Sequence, residues 1–368
     1  MESTLKLPSR ASTQVAQETV ANVVMNEIPA DAPLGVVVIG RNEGERLARC
    51  LSSIRAVPNR VYVDSGSSDG SVALARTEGV SVIELSEPPN FTAARARNAG
   101  IATILSNDPA TEFVQVVDGD CEVRADWLAA ALATLRAEPA LALVFGRRRE
   151  RHPERSIYNA LCDQEWNVPV GEAAGVGGDA LFRVAALRQV HFYNAAMIAG
   201  EDTELAMRLR KSGWRLRRID AEMTLHDADI TRFGQWWRRI RRSGHAYAEM
   251  AYLHPDAREP NWPRTVRSIL CWGGLMPTAL LIAAVLALSV DRRWWLAVVL
   301  LLLPCPVNML RIAHRYRLRG SSARVARATG VLLMVGKLPQ FLGLLGYYRD
   351  RLLGRASQLI EYKHGEST

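Results

Sequence analysis

From Leu34 onward, short apolar runs alternate with stretches of helical spacing. Leu34–Ile39 is β-branched and unbroken, as a strand buried on both faces should be. Glu43–Ile54 sets Leu47, Cys50, Leu51 and Ile54 at helical spacing. Arg60–Asp64 reads as strand, Ser71–Glu78 as helix and Val80–Leu85 as strand again. Ala93–Leu105 reads as helix, and Phe113–Val117 as a fourth strand ending in Asp118. The alternation predicts βαβ units and a mostly parallel sheet, with ligands held beyond the carboxyl ends of the strands. Residues 1–33 are polar and alanine-rich, lack the cationic start and apolar run of a secretory signal, and read as a flexible N-terminal tail.

The pattern changes near residue 230. Over Arg232–Leu253, Phe233, Trp236, Trp237, Ile240 and Tyr247 fall near one helical face, with Arg238, Arg239, Arg241 and Arg242 close by. Aromatic bodies rimmed by arginine suit an amphipathic helix in a membrane interface, although a helix packed on the domain has the same pattern. Ile269–Val290 runs 22 residues without a charge, enough to cross about 30 Å of hydrocarbon. Trp294–Leu310 adds 17 uncharged residues that open on two tryptophans suited to an interface. Arg311–Arg327 then holds six arginines and no acid, which predicts a hairpin returning to the side of the preceding domain. Ala328–Tyr348 is apolar but contains Lys337 and Pro339. If it crossed, the cations from Arg349 to Lys363 would oppose the positive-inside bias, so a re-entrant or in-plane segment is expected. A soluble helical core for all three segments is the alternative. The expected division is a tail over 1–33, a catalytic-looking domain over 34–230 and an interfacial helix region over 231–265. A membrane region over 266–350 follows, with spans at about 269–290 and 294–310 and the third apolar segment at 328–348, then a C-terminal tail over 351–368.

Charge divides the chain in the same way. Residues 1–200 hold 19 basic and 24 acidic side chains, whereas 201–368 hold 27 and 14, so the overall +8 resides in the back part. With 48% hydrophobic and 23% charged residues, wholesale disorder and a fibrous repeat are disfavoured. The five cysteines form no CxxC pair, which argues against a disulfide framework or zinc ribbon and suits a reducing compartment.

Four acidic clusters carry candidate chemistry. VYVDSGSSDG at 61–70 runs from a strand into a turn of small residues, where Asp64 is placed to accept hydrogen bonds from a base or ribose. VVDGD at 116–120 puts Asp118 and Asp120 around a glycine, an arrangement that holds a divalent cation or caps the following helix. Gly200-Glu201-Asp202-Thr203-Glu204 heads a helix running to Ser212. Acids belong at such a start, but three among four residues exceed a cap's needs, and one is a candidate general base. His226, beside Asp227, is a candidate metal ligand or an ordinary structural histidine.

Taken in order, these motifs resemble the family 2 glycosyltransferases of GT-A fold over about residues 34–245. VVVIGRNE is similar to that family's opening strand and turn, with Glu43, and VDSGSSDGS to its nucleotide-contacting turn, with Asp64 and Ser65. ARARNAG resembles its Arg-Asn-x-Gly segment (Arg97, Asn98), and VDGD its DxD metal motif. GGDALFR resembles its acceptor-side loop (Gly177, Gly178, Asp179), and GEDTELAMRLRKSGWRL its Glu-Asp helix. The resemblance implies an α/β GT-A fold, a Rossmann-like mixed sheet of the nucleotide-diphospho-sugar transferases, with C-terminal interfacial and transmembrane helices. Processive members carry Gln-x-x-Arg-Trp; here Gln235-Trp236-Trp237-Arg238-Arg239 places Arg239 at the last position, which favours transfer of one sugar.

The implied enzyme is an inverting transferase moving a sugar from a nucleotide-sugar, a UDP-sugar above all, to a lipid-linked, polyprenyl-type saccharide. Polysaccharide or cell-envelope synthesis at the inner membrane is the expected setting, with the catalytic domain facing the cytoplasm and no nucleic-acid partner. Asp202 would act as base beside Glu201, Asp120 and His226 would hold Mg²⁺ or Mn²⁺, and Asp118 would touch the ribose or sugar. Arg238 and Arg239 would bind diphosphate. No GxGxxG or Walker lysine loop is present, so dehydrogenase and kinase readings lose support. A nucleotidyltransferase of similar sheet, releasing pyrophosphate, and a membrane-tethered scaffold that binds no metal or sugar nucleotide are the rivals.

Overall fold

The computed structural model describes residues 32–85, 91–257 and 261–355. Most of the tail expected over 1–33, and all but the start of the one over 351–368, lies outside them. Strands β1 (Leu34–Gly40), β2 (Asn59–Asp64), β3 (Ser81–Glu84) and β4 (Phe113–Asp118) pair in parallel in the order β3-β2-β1-β4. The sheet continues through β8 (Ala180–Arg183), antiparallel to β4, to β6 (Leu141–Glu150) and β9 (Arg215–His226), which run parallel to each other. β5 (Cys121–Val123) and β7 (Gly171–Glu172) both pair antiparallel with β9.

Val36, Val37, Val38, Val61, Val63, Val116 and Val117 have no exposed surface. Helices cover both faces of these strands, which is why their apolar runs are continuous rather than alternating. The helices between them are α1 (Glu45–Ser53), α2 (Ser71–Thr77) and α3 (Ala93–Asn107). α1 starts two residues later than the sequence pattern predicts, because Asn42 and Gly44 take φ values of 54° and 50°. That turn lets Asn42 bind the neighbouring loop: its Oδ1 accepts from the Ser68 N–H at 2.7 Å, and its own N–H donates to Ser67 Oγ at 2.8 Å. α3 lies close on the sheet at Gly100, where a Cβ would fall 2.3 Å from Val37 Cγ1. Further helices are α4 (Trp127–Ala137), α5 (Ile157–Glu165), α6 (Val184–Gln189) and α7 (Glu201–Lys211).

After β9 comes α8 (Phe233–Leu253). Trp236 and Ile240 are buried against Cys162 and Ile230, with Tyr158, Trp166 and Leu332 around them. The aromatic face expected to lie in a membrane interface therefore meets protein along much of its length, because α5 and the third apolar segment cover it. Phe233 remains about half exposed.

Among the described residues, three helical stretches are long and apolar enough to cross a membrane by length and composition: Trp262–Ser289, Trp294–Leu318 and Ala323–Leu352. The first joins α9 (Trp262–Ile269) through a π-helical turn, Leu270–Leu275, to α10 (Met276–Ser289). The second contains α11 (Trp294–Leu302) and α12 (Pro304–Leu318), and the third α13 (Ala323–Val335) and α14 (Lys337–Leu352). The third, expected to be re-entrant or in-plane, forms a helical stretch of 30 residues, a length open to either arrangement. Pro339 does not break it, because it falls in the first turn of α14, where a missing N–H leaves no intrahelical bond unmade. Glycines set the packing here. A Cβ at Gly244 of α8 would lie 2.0 Å from the Gln340 carbonyl oxygen, and one at Gly343 of α14 would lie 2.0 Å from that of Arg241.

Candidate active site

A cavity of about 560 Å³ opens at the carboxyl ends of β1, β2 and β4. Register brings these ends level, since Gly40 pairs with Asp64 and Ile39 with Asp118. Glu43, Ser65 and Asp118 line one side, Gly177, Gly178, Glu201 and Asp202 another, and Arg239, Arg242, Leu333 and Gln340 close it from the helices.

Two arginines organise the acids. Arg97, on α3 one turn before Gly100, donates through Nη1 to Glu201 Oε1 (2.7 Å) and Asp202 Oδ1 (2.9 Å), and through Nη2 to Asp118 Oδ1 (3.0 Å). Arg148, on β6, donates through Nη2 to Asp118 Oδ2 (2.9 Å) and forks onto Asp179 at 2.7 and 2.9 Å. Burial works against the Asp118 charge, but Arg97 and Arg148 hold its carboxyl below the usual carboxylate range. Asp202 goes the other way. Burial, with repulsion from Glu201 and Asp118, pushes it up to about 7 despite Arg97 and the Gly178 N–H, which donates to its Oδ2 at 2.9 Å. Gly200 makes this turn possible at φ 83°, leading α7 in so that Glu201 and Asp202 face Arg97.

Asp120 and His226 meet beside the cavity, with His226 Nε2 3.1 Å from Asp120 Oδ2 and Nδ1 3.6 Å from Glu150 Oε2. Burial disfavours the imidazolium, yet Asp120 and Glu150 raise the His226 pKa above its ordinary value. Donor atoms of Asp120, Cys121 and His226 lie within 4.8 Å of one another, and His226 Nδ1 is buried with no hydrogen-bond partner among the described residues. Burial pushes the Cys121 thiol well up, and a soft sulfur suits Mg²⁺ or Mn²⁺ less than oxygen does. The carboxylate and imidazole fit a Mg²⁺ or Mn²⁺ ion.

The structure gathers Glu43, Ser65, Arg97, Asp118, Gly177, Gly178, Glu201, Asp202 and Arg239 around one cavity. Other candidates stand elsewhere. Asp64 is 2% exposed and accepts from Tyr62 Oη, the Gly66 and Ser67 N–H groups and Ser67 Oγ, so its lone pairs build the turn that presents Ser65. Asn98 clamps the Tyr193 backbone, donating to its carbonyl at 2.8 Å and accepting from its N–H at 3.0 Å. Asp179 is fully buried and holds Arg148 and Thr224 from beneath. Gln235 accepts from the Thr231 and Arg232 N–H groups and so caps α8, while Arg238 is not among the cavity's lining residues. Sequence reading missed Arg148 and Arg242. The signal for Arg148 was the run Arg147-Arg148-Arg149-Glu150 at a strand end, where alternation puts 148 and 150 on one face.

The sequence profile of glycosyl transferase family 2 matches residues 35–185, and that of glycosyl transferase family group 2 matches residues 163–309. The two profiles together run over residues 35–309 of the chain. The chain is 28% identical over 276 residues to the pre-mycofactocin glycosyltransferase of two Mycobacterium tuberculosis strains, an alignment covering 70% of this chain and 56% of that protein. The chain thus spans little more than half the length of these curated relatives. Its fold is similar to that of a mannosyltransferase from Pyrobaculum calidifontis solved with GDP-Man and Mn²⁺. That match has a TM-score of 0.55 at 18% identity and covers 93% of this chain and 96% of the other. The mixed sheet is therefore the GT-A sheet of the family 2 enzymes.

Proposed function

We propose that this chain is an inverting glycosyltransferase that moves one sugar from a nucleotide-sugar, a UDP-sugar in the first instance, to a hydroxyl of a lipid-linked saccharide. The observation that carries this reading is a single cavity holding Asp118 and Ser65 at the strand ends, Asp202 opposite, and Leu333 and Gln340 from the third apolar stretch. Glu43, Ser65 and Asp118 face the donor. Asp202, pushed up to about 7, is poised to exchange a proton near neutral pH and takes one from the acceptor hydroxyl. The oxygen's electron pair forms the bond to the anomeric carbon while the bond to the diphosphate breaks on the opposite face, which inverts the configuration. Arg97 fixes Asp202 and Asp118 on either side of its guanidinium. Arg239, held at 2.7 Å by Glu165, and Arg242 give the inner wall the positive charge that a diphosphate, on the donor or a lipid carrier, requires. Asp120 and His226 would hold a Mg²⁺ or Mn²⁺ ion, which when bound supplies neutralising charge for the leaving diphosphate.

The solved mannosyltransferase carries GDP-Man and Mn²⁺, so GDP-mannose belongs in any donor panel beside the UDP-sugars. The apolar stretches support a place in the inner membrane with the catalytic domain on the cytoplasmic side, serving polysaccharide or envelope synthesis. Membranes containing the chain, incubated with radiolabelled sugar nucleotides and extracted with organic solvent, should carry label into the lipid fraction. Release of pyrophosphate instead would favour a nucleotidyltransferase. Absence of both transfer and metal-dependent donor binding would favour a scaffold.

A further inference from the structure

A second cavity, of about 340 Å³, is lined by Arg147, Asn167, Arg218, Asp220, Ala221 and Glu222. Arg147 and Arg148 are consecutive on β6, so their side chains leave opposite faces, and this cavity backs onto the active site. An irregularity of the sheet forms it. Between Phe145 and Arg147, β6 has only Gly146, whereas β9 places residues 219–221 between the partner positions Arg218 and Glu222. A Cβ at Gly146 would fall 2.5 Å from the Ala221 carbonyl oxygen, so glycine is what lets this bulge fold inward.

Arg218 is 6% exposed. It makes no hydrogen bond or ion pair through its side chain to any described residue, and its Nε is buried and unsatisfied. A guanidinium cannot shed its charge by losing a proton, and buried charges in folded proteins are normally paired. Here no partner stands among the described residues, while the cavity lies beside it. Arg147, paired with Asp163 at 3.1 Å, stands on the same wall with its remaining N–H groups, and of the two lining acids, Asp220 and Glu222, the second is partly neutralised by Arg149 at 3.6 Å.

We propose that this cavity is a second anion site, taking a soluble phosphate-class oxyanion on the planar fork of Arg218, with Arg147 and Asn167 beside it. The site communicates with the active site. Arg147 donates to the Arg148 carbonyl at 2.7 Å, and Asn167 directly follows Trp166. The Trp166 ring packs 5.3 Å from the Arg148 guanidinium and 4.7 Å from the His226 ring. Occupancy therefore acts on the two groups that hold Asp118 and Asp120.

The test is calorimetric titration of the full chain with inorganic phosphate in nanodiscs of zwitterionic lipid. Arg218→Met should weaken phosphate binding at least tenfold, while Arg95→Met, exposed and outside both cavities, leaves it unchanged. Arg218→Lys should bind weakly too, because a point charge lacks the fork. Without phosphate, Arg218→Met should melt higher than wild type, since an unpaired buried charge has gone. Equal phosphate affinity in wild type and Arg218→Met, no binding by wild type at millimolar phosphate, or a lower melting temperature for Arg218→Met would each overturn the proposal. Nanodiscs of anionic lipid supply the last arm. If they abolish phosphate binding, a lipid headgroup occupies the site and the soluble anion is overturned as its ligand.

Discussion

Asp202 stands near neutrality because burial and two neighbouring carboxylates outweigh the pull of Arg97 and the Gly178 N–H. A base must be deprotonated to work, so turnover should rise with pH through about 7. Asp202→Asn should keep donor affinity and lose that rising limb, with turnover down by about 10²-fold, the scale of a lost general base. Steady-state rates and donor binding on one preparation check this. Survival of turnover in Asp202→Asn with collapse in Glu201→Gln would move the base to Glu201. Stability should go the other way. The folded pKa of about 7 lies above the ordinary 3.8, so the stability linked to Asp202 is full below about 3.8 and falls as pH rises through 7. At pH 8 the asparagine variant should therefore melt no lower than wild type. Asp120→Asn supplies less charge to a cation beside His226, and Mn²⁺ titration should show weaker binding with Asp202 unaffected. Unaltered Mn²⁺ binding would leave Asp120 as a partner of His226 alone.

Helices reach the site by close approach. α3 carries Arg97 to the strand ends only because Gly35 and Gly100 let it settle on β1, where a Cβ on either would meet Ile104 or Val37 at 2.3 Å. α8 and α14 touch backbone to backbone at Gly244 and Gly343, as small residues allow in apolar surroundings. That contact brings Gln340 to the cavity that Arg239 and Arg242 line. Gly343→Leu should prise α14 from α8 at a cost of about 1–3 kcal/mol or more, the usual penalty of overpacking. A lowered melting temperature in detergent and a weakened acceptor KM with donor affinity retained are the expected readouts. Gly346, with nothing near its Cβ position, is the matched control.

At the scale of the whole molecule, an α/β sheet and one of three apolar helical stretches share a cavity wall. Leu333 and Gln340 come from the third of those stretches, so the acceptor has a route to Asp202 along the helices. The six arginines over 311–327 and the sheet domain should lie on one side of the membrane, with the turn at Asp291 on the other. An Asp291→Cys variant should then label with an impermeant maleimide from outside intact cells, and a Ser321→Cys variant only after permeabilisation. The reverse pattern would overturn the hairpin. A π-helical turn at Leu270–Leu275 lets Gly273 approach the Lys337 carbonyl, which locks the first stretch to the third.

Local chemistry made the strands legible from the sequence: continuous β-branched runs between helical spacings admit few other structures, and the motif order from Glu43 to His226 carried the family. Length and lack of charge likewise marked the first two apolar stretches, because crossing hydrocarbon is a demand on a single helix. The arrangement of charge was not legible. Arg97 and Arg148 lie 51 positions apart in the chain, yet they meet on Asp118 because α3 and β6 converge at the carboxyl end of β4. A strand end placed Asp64, and the family resemblance Asn98 and Asp179, among the ligand contacts, but their oxygens and nitrogens are taken up by the Ser65 turn, the Tyr193 backbone and Arg148. A motif fixes which residue stands at a strand end, whereas burial and the partners brought by distant segments decide whether its polar atoms face a ligand or the protein itself.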